Sequence, residues 1–506
     1  MVLLNLLLWG LALVIIGILV MIGRQKIYWR LRKIPYIDGY PGFGILGPIF
    51  FGHKSMNDVA QYCYNSCPGS KYVGAMDFND AVLIIKDPEI VREITVKSFD
   101  YFLNHQSFVD PDFDPLLSKN VFSLTDDRWR EMRSTLSPAF TASKMKYMFQ
   151  LVSKCSTDFV QYLTKHPEII IEDVDLKDVY TRYTNDVIAT AAFGVSVNSL
   201  EDRDNEFYLN GKDATSFDGL GRSIKFIGGR LFPKLMRSMG LTFLSPKADK
   251  FFKTLVSDTV KTRDEKGIVR PDMINLLMQA RDNEHGVEMT TDDITAQAFI
   301  FFFAGFETSA TLMCLTSHLL SHHPEIQDRL KTEIDCVLEE EQGNITYDSL
   351  SRMKYLDMVI SETLRLYPPT PLTDRVCIKP YELPAPFAEN SEPFVVQPKT
   401  ILWVNIFGFH RDPNYFPNPD VFDPERFNDE NKNNIKPYTY MPFGLGPRKC
   451  IGERFALMET KILIVQLLRH FVFKASDKTT KYFNFSKKSF DMVPESGFWM
   501  RLEKRE

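Results

Sequence analysis

Cysteine is scarce in this chain. Its 506 residues include seven, at positions 63, 67, 155, 314, 336, 377 and 450, too few and too scattered for a disulfide framework. The number is odd, so at least one thiol stays free. The pattern reads as a reduced compartment, with six of the seven serving as small buried hydrophobes. Positive charge is not in excess either. Lys and Arg number 60 against 65 Asp and Glu, a formal net charge of −5, and nothing in that balance argues for a nucleic-acid partner. Neither a Walker motif nor a G-x-S-x-G elbow occurs, which removes P-loop phosphate binding and the hydrolase nucleophile. Internal repeats and low-complexity tracts are missing, and no linker cuts the chain after residue 50. Length alone suggests about three domains, but this continuity argues for one. What the sequence does have is 40 Phe and 19 Met, the makings of a large, soft apolar interior.

Charge is also absent from Leu6 to Gly23. Counted from Val2, those residues span about 33 Å as a helix, enough for the hydrocarbon core of a bilayer. Arg24, Lys26, Arg30, Arg32 and Lys33 follow at once, so the positive-inside rule leaves the rest of the chain cytosolic. A cleaved signal peptide would want a basic residue before the apolar run and a small-residue cleavage site after it, and neither is here. Gly42-Phe43-Gly44-Ile45-Leu46-Gly47 fits the G-x-G-x-x-G phosphate fingerprint in spelling only. No strand precedes it, Pro41 and Pro48 bracket it, and no clear acidic residue follows about twenty positions on. With Pro35 it reads instead as a stiff linker.

The sharpest chemical signal is Phe443-Gly444-Leu445-Gly446-Pro447-Arg448-Lys449-Cys450-Ile451-Gly452, followed by an apolar-periodic helix to about His470. Three glycines and a proline make a loop that turns tightly and lets backbone approach a neighbour. Cys450 precedes a helix N-terminus, where the dipole and free N–H groups favour thiolate over thiol. Such a thiolate suits a soft or redox-active metal. A buried cysteine beside a glycine turn explains any one of these features, but not Arg448 and Phe443 together with them.

A second signal lies some 140 residues earlier. Thr290-Thr291-Asp292-Asp293 offers an N-cap and first-turn acids for a helix that runs to about His322, stopped by Pro324. Its middle reads Phe301-Phe302-Phe303-Ala304-Gly305-Phe306-Glu307-Thr308. A glutamate and a hydroxyl in so apolar a run are costly to bury idle. Glu307 and the acids at both ends argue against a membrane span. Thr308 back-bonding to the preceding turn is the plainer alternative. Glu362 and Arg365 share a helix face, and Trp129 and Arg133 stand one turn apart. His318 and His322 have a zinc-like spacing without a general base or third ligand, and Cys63 and Cys67 lack a second pair.

Taken together these segments resemble the cytochrome P450 monooxygenases over nearly the whole chain. The cysteine loop matches F-x-x-G-x-R-x-C-x-G at every specified position. Ala304-Gly305-x-Glu307-Thr308 resembles the oxygen-activation motif, and Glu362-x-x-Arg365 with Pro424-Glu425-Arg426-Phe427 resembles the E-x-x-R and P-E-R-F pair. The texture is most similar to microsomal, insect detoxifying members. No C-x-x-C-H occurs, so covalent c-type attachment is not implied.

The resemblance implies a mainly α fold with small β-sheets: a transmembrane signal-anchor over 1–23, a basic, proline- and glycine-rich linker over 24–50, and one haem-thiolate catalytic domain over 51–506. It implies haem b with Cys450 as axial ligand, Phe443 covering that face, and Trp129, Arg133, Arg375 and Arg448 meeting the propionates. Thr308 and Glu307 then manage oxygen and protons, and Glu362, Arg365 and Arg426 form a buried ion cluster. Phe108, Val109, Phe301, Phe302, Ala304, Leu372, Phe490 and Met492 fall in the family's substrate-recognition regions. The implied activity is NADPH- and O2-dependent oxidation of small apolar compounds, xenobiotics such as plant toxins or insecticides, at the endoplasmic reticulum membrane. Electrons come through NADPH–cytochrome P450 reductase, with cytochrome b5 as a further partner. A basic surface at Arg128, Arg130, Lys144, Lys146 and Lys449 is the expected docking face, and 224–244 a segment that dips into lipid. Oxidation of an endogenous lipid, steroid or hormone, a haem-thiolate isomerase and a non-enzymatic haem sensor are the alternatives.

Overall fold

Thr290 starts the element around which the molecule is built. Its hydroxyl accepts the Asp293 N–H while the Asp293 carboxylate accepts the Thr290 N–H, a reciprocal cap that satisfies two otherwise orphaned donors. From there a helix of 32 residues, Thr291–His322, runs about 48 Å. The structure is a computed structural model that describes residues 2–107, 114–216, 220–270, 272–282, 289–388, 392–487 and 492–505.

Among the described residues this long helix is apolar enough to cross a membrane, yet 61% of its most apolar window is buried inside the fold. It is a core helix. Helices Leu176–Ile188, Pro246–Lys266 and Glu453–His470 pack around it. Phenylalanines supply much of the filling: rings of Phe193, Phe207, Phe252, Phe299, Phe302 and Phe306 lie in a chain of contacts with centroids 5.1 to 6.3 Å apart. Phe302 fits because Gly211 faces it; a Cβ there would stand 2.2 Å from the ring tip.

Four strands form the largest sheet, in the order Tyr72–Asp77, Asp80–Ile85, Ile401–Val404, Thr373–Val376, with one parallel pair between the two middle strands. Two smaller sheets pair Tyr381–Leu383 with Phe394–Val396, and Trp499–Lys504 with Val174–Asp175 and Phe471–Lys474. The fold is mainly helical with small sheets, as the sequence pattern implies.

The first 50 residues need a correction. Val2–Leu31 is one helix of 30 residues, so Arg24, Lys26 and Arg30 belong to it rather than to a linker, and Arg32 and Lys33 follow its end. Trp29 is already inside the body, 1% exposed, donating its Nε1–H to Ala75 O at 2.6 Å. Ile34, Ile37, Ile45, Leu46 and Ile49 are buried behind it, against the large sheet. Gly44 has φ +63°, and a Cβ on it would meet Met76 O at 2.0 Å. Gly44 of the false phosphate motif therefore serves close backbone packing.

Glu362 and Arg365, both 0% exposed, form a bidentate pair at 2.7 and 2.8 Å. The remaining Arg365 donors reach His410 O, Pro419 O and Val421 O, while Arg426 Nε and Asp423 N–H also donate to Glu362. This cluster ties helix Lys354–Leu366 to the irregular stretch leading to the cysteine loop. His410 extends it: Met441 N–H donates to its Nε2 at 2.9 Å, so its Nδ1–H faces Arg365 O. Burial, then the Arg365 charge, push His410 down to about 3 and keep it neutral.

Candidate active site

Cys450 is held by the backbone on either side of it. Gly444 and Gly446 take φ of +74° and +71°, and the Cys450 N–H donates to Phe443 O at 2.9 Å, closing the loop. At Gly446 no other residue fits, since a Cβ would meet Thr95 O at 1.8 Å. The thiol looks into an internal cavity of about 350 Å³, and for that reason it counts as accessible although it lies deep in the protein. Burial pushes the thiol up from its ordinary value; the Gly452 N–H, Arg133 and Lys449 pull the other way, and Glu453 adds to the rise. The thiolate expected from the helix N-terminus alone is thus opposed by desolvation. A Lewis acid in the cavity would reverse that balance.

The long helix forms the facing wall. Phe301, Ala304, Gly305, Thr308 and Leu312 line the cavity at helical spacing. Thr308 Oγ1 donates to Ala304 O at 2.7 Å, the back-bond that hydroxyls in helices favour, while remaining open to the cavity. At Gly305 a Cβ would stand 2.8 Å from Ile188 Cδ1, so the glycine lets two helices approach. Glu307 does not line the cavity. Its carboxylate pairs with Lys177 Nζ at 2.5 Å, and Lys177 also donates to Thr311 Oγ1.

At one end of the cavity Arg133 and Arg448 line the wall with Trp129; Arg375 does not line it, although its charge acts on Arg448. Arg133 donates to Lys449 O at 2.8 Å, fixing the residue before the cysteine. Arg448 lies 4.0 Å over the Trp129 ring, and its donors go to Leu103 O, Val121 O, Phe122 O and Leu124 O. Arg375 is 1% exposed; it donates to Asp374 O and Leu445 O, and its Nε has no partner. Burial pushes Arg375 down to about 10 and Arg448 to about 9, the latter helped by the neighbouring Arg375 and Arg133 charges. His105, unremarked in the sequence, belongs here too. It stacks on Phe122 at 5.0 Å and pairs with Asp374 at 2.9 Å.

The residues therefore fit a flat, dianionic, metal-bearing prosthetic group. A soft ligand faces the cavity from one side and small residues form the other wall. At the rim, Arg133, Arg375 and Arg448 make no ion pair with a carboxylate among the described residues, although the Asp374 charge acts on Arg375 and Arg448, and one guanidinium nitrogen is left unpartnered. Phe443 lines the cavity on the cysteine side.

Several expected substrate contacts are placed elsewhere. Leu372 and Met492 pack together with Ala60 and Phe407 in a small satellite core and do not line the cavity, because the chain after Pro371 turns into the sheet. Thr370 and Thr373 take that wall instead, with Phe140, Ile188, Ala191 and Leu364 from other elements. Phe302 sits in the aromatic cluster described above. Phe108, Val109 and Phe490 lie outside the described residues. Of the remaining cysteines Cys336 is exposed rather than buried, and His318 lies tilted against Phe483, centroids 4.2 Å apart, as a core ring.

Residues 39–500 match the family model described as Cytochrome P450. Cytochrome P450 9e2 of Blattella germanica is 47% identical, with 94% of each chain covered. Probable cytochrome P450 9f2 of Drosophila melanogaster is 41% identical over 94% of this chain and 95% of its own. Cytochrome P450 6k1 of Blattella germanica is 34% identical over 93% and 91%.

Proposed function

The chain belongs to the cytochrome P450 family, as a haem-thiolate monooxygenase, and from that premise we propose that it oxidises small apolar compounds of the xenobiotic class with O2 and NADPH-derived electrons. The cavity carries this reading. Its walls are mostly apolar, with Phe140, Met148, Ile188, Met273, Phe301 and Leu312 among them, and Met and Phe surfaces adapt to varied shapes. Bound haem supplies the activation of dioxygen. Cys450 Sγ would hold its iron, while Trp129, Arg133, Arg375 and Arg448 would hold its carboxylates.

The protein's own groups then manage water and protons. The apolar wall excludes bulk solvent from the reacting face. Thr308 Oγ1 carries a proton at the cavity surface and is free to redirect it by rotating away from Ala304 O. Glu307, one residue before it, is the group that resupplies Thr308: its carboxylate, held by Lys177, takes up a proton from water on leaving that cation and passes it on.

No nicotinamide or flavin fingerprint stands in the sequence, so electrons enter from NADPH–cytochrome P450 reductase, with cytochrome b5 as a second donor. The docking face is the cysteine side. It carries mixed charge rather than a bare basic patch: Arg130 pairs with Asp100 and Asp127, Lys146 with Asp348, and Lys449 with Glu453. Arg128 approaches Asp293 and Glu131. Reversing these charges should slow reductase-supported turnover and flatten its salt dependence.

The helix Val2–Leu31 is read as the anchor in the endoplasmic reticulum membrane, with the body on the cytosolic side. Ile224, Phe232, Leu235 and Met239 are each more than half exposed, interleaved with Lys225, Lys234 and Arg237. Phe226 meets Phe50 at 6.1 Å, which sets this apolar face beside the segment that follows the anchor helix. A form lacking residues 1–23 should therefore keep residual binding to vesicles. The function itself is tested by reconstituting the protein with reductase and measuring substrate-dependent NADPH consumption over a panel of apolar toxins, insecticides, steroids and fatty acids. Turnover confined to the endogenous lipids would overturn the xenobiotic reading.

A further inference from the structure

One fully buried amide has no role in the reading above. Gln297 stands on the long helix seven residues before Ala304, so it shares that helix face two turns nearer the N-terminus. It is 0% exposed and does not itself line the cavity. An amide is costly to bury unless its polar atoms are bonded, and here both ends are. Gln297 Oε1 accepts the Val121 N–H at 2.8 Å, and its Nε2 donates to Lys119 O at 2.9 Å. Both partners are backbone groups of one short segment, 176 and 178 residues away along the chain.

That segment lies between helices Pro115–Ser118 and Asp126–Leu136, and its Val121 and Phe122 line the cavity. No strand ladder holds it. Asn120, 0% exposed, folds it on itself: Oδ1 accepts the N–H groups of Phe122 and Ser123, and Nδ2 donates to Leu116 O and Leu117 O. Those bonds set the shape of the turn, and two groups outside it set its place. Gln297 ties it to the long helix. Arg448 ties it to the cysteine loop through Val121 O, Phe122 O and Leu124 O. Val121 is where the two meet, its N–H going to Gln297 and its C=O to Arg448 at 3.3 Å. One peptide strap thereby joins the wall that carries Thr308 to the loop that carries Cys450.

We propose that Gln297 is a positioning residue that sets the width of ligand the cavity accepts, by fixing the 119–124 strap against the long helix. An amide presents a donor and an acceptor side by side, matching Lys119 O and the Val121 N–H; an apolar side chain of similar size offers neither. Without those two bonds the strap stays tied to Arg448 but comes away from the long helix. Val121 and Phe122 then move back from the cavity, so bulky apolar molecules gain room and narrow ones lose contact. The proposal rests on the reading of this cavity as the place where substrate is oxidised.

Gln297→Met removes both hydrogen bonds at nearly constant volume. Two measurements on the resting holoprotein test it without turnover, so failure of the oxidation reading would not register in either. Amide hydrogen exchange over 119–124 should quicken by about tenfold in Gln297→Met, the scale of one lost hydrogen bond, while helix Lys354–Leu366 stays as slow as in wild type. In optical titrations with phenylimidazole and the bulkier biphenylylimidazole, the ratio of affinities should shift by about tenfold toward the bulkier probe. Haem content should not change. A residue that merely stabilised the fold would lower haem content or stability and leave that ratio where it was. If Gln297→Met does not fold, the wild type still tests the clamp: the Val121 amide should exchange as slowly as a helix amide although it stands in a turn. Exchange at the rate of an open turn in wild type would overturn the proposal. So would exchange over 119–124 or an affinity ratio unaltered by Gln297→Met.

Discussion

Lys177 Nζ lies 2.5 Å from Glu307 Oε2, and this ion pair holds the motif acid on the side of the long helix away from the cavity. The pair joins helix Leu176–Ile188 to the long helix and is about four-fifths buried. A carboxylate paired in this way has to leave its cation and take up a proton from water before it can donate one at Thr308.

Glu307→Gln is therefore expected to lower substrate oxidation by about 10²-fold, the scale of a lost general acid. Thr308→Ala should let O2 and NADPH consumption continue while releasing more hydrogen peroxide and less product. Lys177→Met frees Glu307 and should change the pH profile of product formation without abolishing it. Product, peroxide and NADPH measured in parallel check all three.

The rim cations give a prediction of opposite sign in two states. Arg375 has an unpartnered, fully buried Nε. Arg375→Met should stabilise the haem-free protein, since a buried, poorly compensated cation is replaced by an apolar chain of similar size. The same substitution should weaken haem retention. Thermal unfolding of the haem-free form and haem transfer to an acceptor globin read the two effects separately.

Glu362 and Arg365 are expected to behave as a unit. Either one replaced by alanine strands a buried charge, at about 3–5 kcal/mol. Arg426→Ala should cost less, because its contact with Glu362 is longer, 3.3 Å, and its side chain is partly exposed. Urea unfolding midpoints at constant m-value distinguish these costs.

Acid sensitivity follows from two buried neutral histidines. His410 and His318 are both pushed down to about 3, chiefly by burial. The unfolded chain protonates them near pH 6.5 and the folded chain does not. Between those values the unfolded state binds more protons, so stability falls as pH drops, by up to about 1.4 kcal/mol per pH unit for each histidine. His318→Leu, which keeps the contact with Phe483, should remove one such contribution, visible as a shallower dependence of the unfolding free energy on pH.

Motif chemistry was legible in the sequence, and placement was only partly so. Cys450, Arg448, Trp129 and Thr308 announce themselves because ligation, ion pairing and helical spacing constrain residue type at fixed intervals. The long helix was readable from its cap at Thr290 and its stop at Pro324. What the sequence could not reveal depends on contacts between distant segments. Leu372 and Met492 are apolar like any cavity residue, and only the path of the chain after Pro371 sends them to the satellite core with Phe407. Residues 29–50 have linker composition, yet Trp29 and Ile45 bury against the large sheet. The basic residues near Cys450 are visible in sequence, but Asp100 and Asp348 reach Arg130 and Lys146 from distant segments. His105 carried no local signal, and its partner Asp374 lies 269 residues away.

The account depends most directly on the bond from Cys450 to a haem iron. The decisive measurement is the optical spectrum of the reduced, carbon-monoxide-bound protein, with haem content, for wild type and Cys450→Ser. A thiolate-type Soret band at one haem per chain, lost in Cys450→Ser, is the expected result. Absence of bound haem in wild type, or a band unchanged by the substitution, would contradict it.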